Sequence, residues 1–456
     1  MNAPNPSSLD TAPTPRRRAG ELVIFGTVFF DMFAIGISAP VFPQLVTSIT
    51  GLKIAAVAQL FGWFAVVFGT MQFLGSPILG AASDHFGRRP VIILSNLVSG
   101  LNFVLMAVAP NLTWLFVGRF IAGFATGSMP AASAWIADTV PPERRAAHFG
   151  FMAAAMSLGF ALGPAVGGLL GAISPRAPFW AGAGFCILNG LYGYFVLTES
   201  LPPERRTEFH PKNIIPFGTI YSFAKRYPKL AQMLCVTVLM TLGGFAMQAI
   251  GVIYTNGRYG WDTTLNGYML TGFGVAGMLI QMFLVRPAIK FLGDRKALVA
   301  GWCCQATGLF WFGLAAHGKY FWYGIPIACC GSLAAPVWTS FMTKVISPTE
   351  QGRLSGVVNS LQSLVTIVAP LMYTTIFARA ISDKSFPVGP GAPFFLASIL
   401  LISAVVLAVW ITRNRVTESG AGIDINPKEI ALSAKPLAGA RDLLEASKDT
   451  EVPGRM

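Results

Sequence analysis

Residues 22–43 read LVIFGTVFFDMFAIGISAPVFP, an apolar run of membrane-crossing length with one carboxylate, Asp31, in its middle. An α-helix rises about 1.5 Å per residue and the hydrocarbon core is about 30 Å thick, so about 20 such residues span it. Asp31 stands about 14 Å past Leu22, near the middle of that core. A charge at this depth costs at least about 2.5–3.5 kcal/mol and needs a partner, a water-filled cavity or a proton. One such run would be compatible with an anchored soluble domain. The rest of the sequence excludes that.

Eleven further runs of the same kind follow, at 56–82, 90–109, 112–138, 146–171, 179–198, 228–254, 264–290, 296–317, 319–346, 353–380 and 391–412. Of the 456 residues, 54% are hydrophobic and 12% are charged, with a mean hydropathy of +0.59. Soluble domains carry about 25% charged residues, so water-facing groups are too few to coat a globule of this size. The expected fold is an all-α integral membrane protein of twelve transmembrane helices.

Charge sets the orientation. Arg16, Arg17, Arg18, Arg88, Arg89, Arg144, Arg145, Arg205, Arg206, Lys290, Arg295 and Lys344 fall in one set of loops, against Lys53, Arg176, Arg258, Lys319, Arg379 and Lys384 in the other. Cytoplasmic loops carry the excess of Lys and Arg, which places both termini in the cytoplasm. The net charge of +13 is thereby a topology signal rather than a nucleic-acid surface. Arg16 to Arg18 ahead of an apolar run imitates an export signal, but the run is long, holds Asp31 and precedes many more spans.

The longest polar interior segment, 199–227, divides the spans six and six. Gly80-x-x-x-Asp84-x-x-Gly87-Arg88-Arg89 follows the second span, and Leu292-Gly293-Asp294-Arg295-Lys296 follows the eighth. A duplicated six-helix bundle produces such an echo and places binding between the halves; major facilitator transporters are the standing example of that architecture. The expected organisation is a polar tail over 1–20, bundles over 21–198 and 228–412 joined by a cytoplasmic linker over 199–227, and a second tail over 413–456. Both tails lack periodic apolar positions and read as disordered. The 6 cysteines lie in apolar stretches without zinc spacing and read as packing residues. No metal site and no cofactor are expected.

Four stretches then resemble one family. Asp31-x(4)-Gly36-x(3)-Pro40-Val41-Phe42-Pro43 is similar to the first-helix signature of the drug:H+ antiporters of the major facilitator superfamily. The Gly80 to Pro90 stretch resembles that family's loop between helices two and three, and Leu115-x(3)-Arg119-x(3)-Gly123 its fourth-helix motif. Gly150-x(8)-Gly159-x(3)-Gly163-Pro164-x(2)-Gly167-Gly168 matches the fifth-helix antiporter motif at every defined position. His148-Phe149-Gly150-Phe151-Met152 and Trp261-Asp262-Thr263-Thr264 resemble the tetracycline-resistance efflux proteins in particular. The resemblance covers about 22–412 and implies two pseudo-symmetric bundles, a bacterial inner-membrane location, a monomer among lipids, and exchange of a small amphipathic molecule for protons.

Each motif also has a physical reading. Asp84 beside Arg88 and Arg89, with Gly80 and Gly87 allowing tight turns, can latch two bundles at the cytoplasmic mouth and release them. Gly159, Gly163 and Gly167 recur every four residues and let helices approach closely, and Pro164 can kink the backbone. The resemblance implies that this face seals the contact between bundles. Asp31 is the candidate proton or substrate carrier, and Arg119 is expected close enough to pair with it directly or through water. Where the tetracycline exporters carry acidic residues in helices three and nine, this chain has Asn102 and Gln305, which leaves coupling to rest on Asp31. Asn102, Gln248, Tyr254, Gln305 and Trp338 are candidate cavity residues.

The alternative is a proton-coupled symporter or facilitator for a polar metabolite, which fits the missing carboxylates but not the fifth-helix motif. An enzyme would need a paired acid and base or a nucleophile with its base, and His85, His148, His210 and His317 are scattered. A sensor would need a signalling domain that neither tail can form.

Overall fold

The computed structural model describes residues 15–125, 128–207, 228–346, 351–383, 385–386 and 388–413. The outer parts of both expected tails and most of the expected linker lie outside these. All regular structure among the described residues is helical.

The first half comprises α1 (Pro15–Ser38), the short α2 (Phe42–Thr50), α3 (Ile54–Phe86), α4 (Arg88–Val108), α5 (Leu112–Phe124), α6 (Ser128–Thr139), α7 (Pro142–Ile173) and α8 (Ala177–Val196). The second comprises α9 (Pro228–Tyr259), α10 (Thr263–Leu279), α11 (Val285–Leu314), α12 (Gly318–Cys329), α13 (Ala334–Thr343), α14 (Gln351–Ser382) and α15 (Ala392–Arg413). Eleven helical runs are long and apolar enough to cross a membrane. One of them, the 52-residue run Thr263–Leu314, holds two expected spans. It passes through a π-helical turn at Ile280–Leu284 and bends at Gly293, whose φ of 75° and ψ of 161° are not helical. Counted on either side of that bend, the spans number twelve. The helix α1 begins at Pro15, ahead of the first expected span.

The tenth span is interrupted near its middle, where a 3-10 turn, Cys330–Leu333, separates α12 from α13. Broken helices release backbone groups from the helical ladder, and within a membrane this is tolerated where protein or a cavity satisfies them.

Inside the first half, α1 packs on α7 and α8, α4 on α8, and α3 on α5; inside the second, α9 packs on α15 and α14, and α11 on α15 and α12. Between halves, α3 lies along α14 and α7 along α10. The duplication shows in the backbone. Gly87 and Gly293 both take positive φ, at 106° and 75°. The arginine two residues on from each reaches the carboxyl end of the sixth helix of its own half: Arg89 Nη2 donates to Tyr194 O at 2.6 Å, and Arg295 Nη2 to Val409 O at 3.4 Å. Arginines also hold the ends of the third helices. Arg176 donates to Ala107 O and Ala109 O, and Arg258 to Gly313 O.

Candidate functional site

Asp31 is half-buried on α1, one helical turn beyond Thr27. Below it lies a buried polar triad joining three helices. Asn189 Nδ2 on α8 donates to Thr27 Oγ1 on α1 and to Asn96 Oδ1 on α4, both at 3.0 Å, and Asn96 Nδ2 donates to Ile92 O. Buried amides in a membrane bundle persist when partnered across helices. The sequence offered no signal for this triad beyond the polar letters themselves.

Arg119 does not take the partner expected for it. Its guanidinium lies over the Phe42 ring, 3.8 Å from the centroid, and Nε is buried without a hydrogen-bond partner. The cation is stabilised by the aromatic face, an interaction that strengthens as water is excluded. Asn102 is 7% exposed, its Oδ1 has no partner among the described residues, and it abuts Gly118, next to Arg119. Gln305 is half-buried where α9, α11 and the 3-10 turn meet, against Gly244 and Gly331. Gln248 is exposed on α9.

Two of the expected cavity residues belong to the core. Tyr254 is fully buried and donates to Phe312 O at 2.8 Å, with Arg258 against its hydroxyl. Trp338 is 4% exposed, packs at a tilt against Trp302 and donates from Nε1 to Thr237 Oγ1 at 2.9 Å. Aromatic residues with a polar tip fill cores when that tip finds an acceptor, and sequence alone cannot separate this from lining a cavity.

The glycine stripe of α7 also departs from expectation. Gly159, Gly163 and Gly167 face α1, inside the same half: a β-carbon at Gly163 would stand 2.6 Å from Phe33 O and 2.9 Å from Gly36 Cα, and one at Gly167 would collide with Ile37 O. The neighbouring face makes the contact between halves. There Gly168 meets Thr263 O (2.6 Å), Gly267 meets Pro164 O (2.5 Å), and Gly274 meets Ala161 Cα (2.7 Å). On the other side of the molecule, Gly62 of α3 meets Thr374 Oγ1 (2.5 Å) and Gly69 meets Ile367 (2.9 Å). These contacts run from the outer ends of their spans to about the middle, where Gly69 faces Ile367 and Gly274 faces Ala161. Toward the cytoplasm, Gly80, Gly150, Gly277 and Gly356 have open space where a side chain would stand. The halves are therefore sealed at the outer face and parted at the inner one.

At the cytoplasmic end, the loop cluster is contained in one half. Arg88 Nη1 pairs with Asp84 at 2.5 Å and Arg88 Nε with Asp138 at 3.2 Å. Glu199 accepts from the backbone nitrogens of Arg88 (2.9 Å) and Arg89 (3.3 Å), in the space a β-carbon on Gly87 would need. The cluster ties α3, α4, α6 and the end of α8 together. Asp138 and Glu199, at the cytoplasmic ends of α6 and α8, are its anionic members together with Asp84.

At the outer face a cavity of about 310 Å³ lies between the halves, with Pro43, Gln44 and Ala172 on one side and Asn256, Asp262 and Thr263 on the other. No three His, Cys, Asp or Glu side chains among the described residues converge as a metal site.

Comparison with known proteins agrees with this architecture. Residues 24–370 match the model of the Major Facilitator Superfamily. The class C tetracycline resistance protein of Escherichia coli is 37% identical over 366 residues, covering 79% of this chain and 90% of that protein. Multidrug resistance protein 1 of Bacillus subtilis (strain 168) is 24% identical over 85% of this chain and 95% of that protein. Among solved structures, an inward-facing, occupied bacterial homologue of the human lysosomal transporter Spinster superposes with a TM-score of 0.66 at 16% identity, over 90% of this chain and all of that one. The human organic anion transporter MFSD10 gives 0.64 at 21% identity, over 86% of this chain and 99% of that one.

Proposed function

This chain belongs to the Major Facilitator Superfamily, alongside the tetracycline resistance proteins, and we propose that it exports small amphipathic organic molecules from the cytoplasm in exchange for protons. It is a transporter and not an enzyme, a multi-pass protein of the bacterial inner membrane. The observation that carries the mechanism is the two-ended asymmetry of the contact between halves: glycine against backbone at the outer face, open space at the inner one. A molecule so arranged takes its cargo from the cytoplasm. Export then requires the outer contact to open while the inner ends close, and a shared central carrier makes the two events exclusive.

Asp31 is the carrier we assign. It lies mid-span on α1, the helix that packs most extensively against α7, and α7 in turn contacts the other half. A proton bound there from outside removes a charge from the membrane interior, and its release to the cytoplasm restores that charge. The triad of Thr27, Asn189 and Asn96 fixes the register of α1 against α4 and α8, so a change at Asp31 moves α1 as part of a rigid half. Arg119, Asn102, Gln248 and Gln305 are the proposed polar contacts for cargo. The cytoplasmic cluster around Arg88 is the proposed latch, and in the inward-open form it is closed on its own half. The assignment to two bundles, 21–198 and 228–412, with a linker over 199–227, belongs to the same proposal, as does the monomeric state.

The test is proton-gradient-driven uptake of fluorescent dyes and tetracycline into everted vesicles, wild type against Asp31→Asn. Uptake by the wild type that an uncoupler and the substitution both abolish is the expected result. Uptake that is uncoupler-sensitive in Asp31→Asn moves the proton site elsewhere. Gradient-driven movement in the opposite direction would replace export by metabolite uptake.

A further inference from the structure

The outer cavity is separate from the carrier site and has a chemistry of its own. Its floor is the outermost part of the contact between halves, where Gly168 and Gly171 meet Thr263. One wall is Pro43 and Gln44 of α2 with Ala172 at the end of α7; the other is Asn256 of α9 with Asp262 and Thr263 at the start of α10. At about 310 Å³ it is of small-ligand size.

Its polar groups are one carboxylate and two side-chain amides whose carbonyl oxygens are unpaired among the described residues. Asp262 caps α10 by accepting from Leu265 N at 2.8 Å, and forms no ion pair among the described residues. Asn256 Nδ2 donates to Trp261 O at 3.0 Å, which leaves its Oδ1 available. The Gln44 amide makes no hydrogen bond among the described residues. The adjacent cation, Arg258, is engaged elsewhere by the Tyr254 hydroxyl and Gly313 O. Pro43, Ala172 and Val252 supply apolar wall. A carboxylate with spare acceptors against apolar carbon selects a small organic cation and rejects an anion of the same size.

The two walls belong to different halves, so this cavity exists only while the outer face is shut. A ligand that binds one conformation and not the other shifts the population by its differential affinity. We propose that the outer cavity binds a small organic cation from the outside and thereby holds the outer gate closed, inhibiting export without competing for the cytoplasmic cargo site. The inhibitory half of this rests on the alternating-access reading above; the binding half does not. At ten times its dissociation constant such a ligand lowers the ratio of outward-open to outward-shut protein about 11-fold.

The probe is benzyltrimethylammonium, a permanent cation that neither crosses the membrane readily nor collapses a pH gradient, with benzenesulfonate as an anion of similar size. Asp262→Asn removes the charge and keeps a good helix cap, so folding is retained. In the binding arm, the cation raises the melting temperature of the purified wild-type protein, benzenesulfonate does not, and Asp262→Asn loses the shift. In the transport arm, the cation outside dye-loaded cells lowers maximal export with the apparent KM unchanged, and its half-inhibitory concentration rises at least about tenfold in Asp262→Asn. Ala172→Leu, which fills the cavity, abolishes the melting shift. The proposal is overturned if the wild type shows no shift, if Asp262→Asn shifts equally, or if inhibition is competitive with the exported dye. Should no dye be exported at all, the export reading falls, and the melting arm still decides the site.

Discussion

At the scale of single residues, charge inside this molecule is arranged to be held rather than matched. Arg119 rests on a phenyl ring, and Arg88 is shared between Asp84 and Asp138. Replacing Arg88 by Ala leaves two carboxylates facing each other at the cytoplasmic end. Because Asp84 is about half exposed, with 47% of its side chain accessible, water screens much of the cost. A melting temperature lowered by a few degrees and a several-fold loss of transport are expected, measured by thermal denaturation and vesicle uptake. Arg88→Lys recovers less than full activity, because an ammonium cannot present the fork that reaches both carboxylates and Ser83. Replacing Phe42 by Leu strips the only aromatic face against Arg119 among the described residues while keeping most of the buried volume, and a lower transport rate in vesicle uptake is expected. The height of Asp31 along α1 was legible from the sequence, because a lone carboxylate in an apolar run is conspicuous. Arg119's partner was not: depth along a helix fixes height in the membrane but not direction around the axis. The same limit hid the fact that Tyr254 and Trp338 point into cores.

At the scale of elements, α7 carries two functions on adjacent faces. The four-residue spacing of Gly159, Gly163 and Gly167 was plain in the sequence, and close packing followed from it. Which helix would be approached did not, and the structure assigns that stripe to α1 and the neighbouring Gly168 to α10. The two faces predict different phenotypes. Gly163→Leu drives a side chain into Phe33 O and Gly36, costs about 3 kcal/mol and is expected to abolish folded protein, read by fluorescence-detected size exclusion. Gly168→Leu disturbs only the contact between halves, so the protein folds while the outer face fails to shut, and transport is lost with the melting temperature largely kept. Gly87 gives a third case. Its φ of 106° with ψ of 160° is essentially restricted to glycine, and its missing side chain is where Glu199 sits. Gly87→Ala is expected to destabilise by about 1–3 kcal/mol, measured by thermal denaturation.

At the scale of the whole molecule, a loop repeated with its glycine and its basic pair is what points to a six-and-six division. Most span boundaries fall within a few residues of expectation; the first helix instead runs Pro15–Ser38 rather than 22–43, and the eighth and ninth spans run together through the bend at Gly293. The open end was invisible to sequence, since both ends of a glycine-rich contact read alike. In a cysteine-free background, a cysteine pair placed at Gly168 and Gly267 is expected to cross-link readily and stop transport until reduced. A pair at Gly150 and Gly277 is expected to stay uncoupled in the resting protein. Between the described residues, the outer contact contains no ion pair and no side-chain hydrogen bond from one half to the other. Such a contact has only dispersion to hold it, with nothing directional to break and no charge to be shielded by salt. What then tips the balance between its open and shut forms is the mechanical setting: bilayer thickness and lateral pressure act on the halves with little internal chemistry to oppose them. The resting state of this transporter becomes partly a property of the lipid around it.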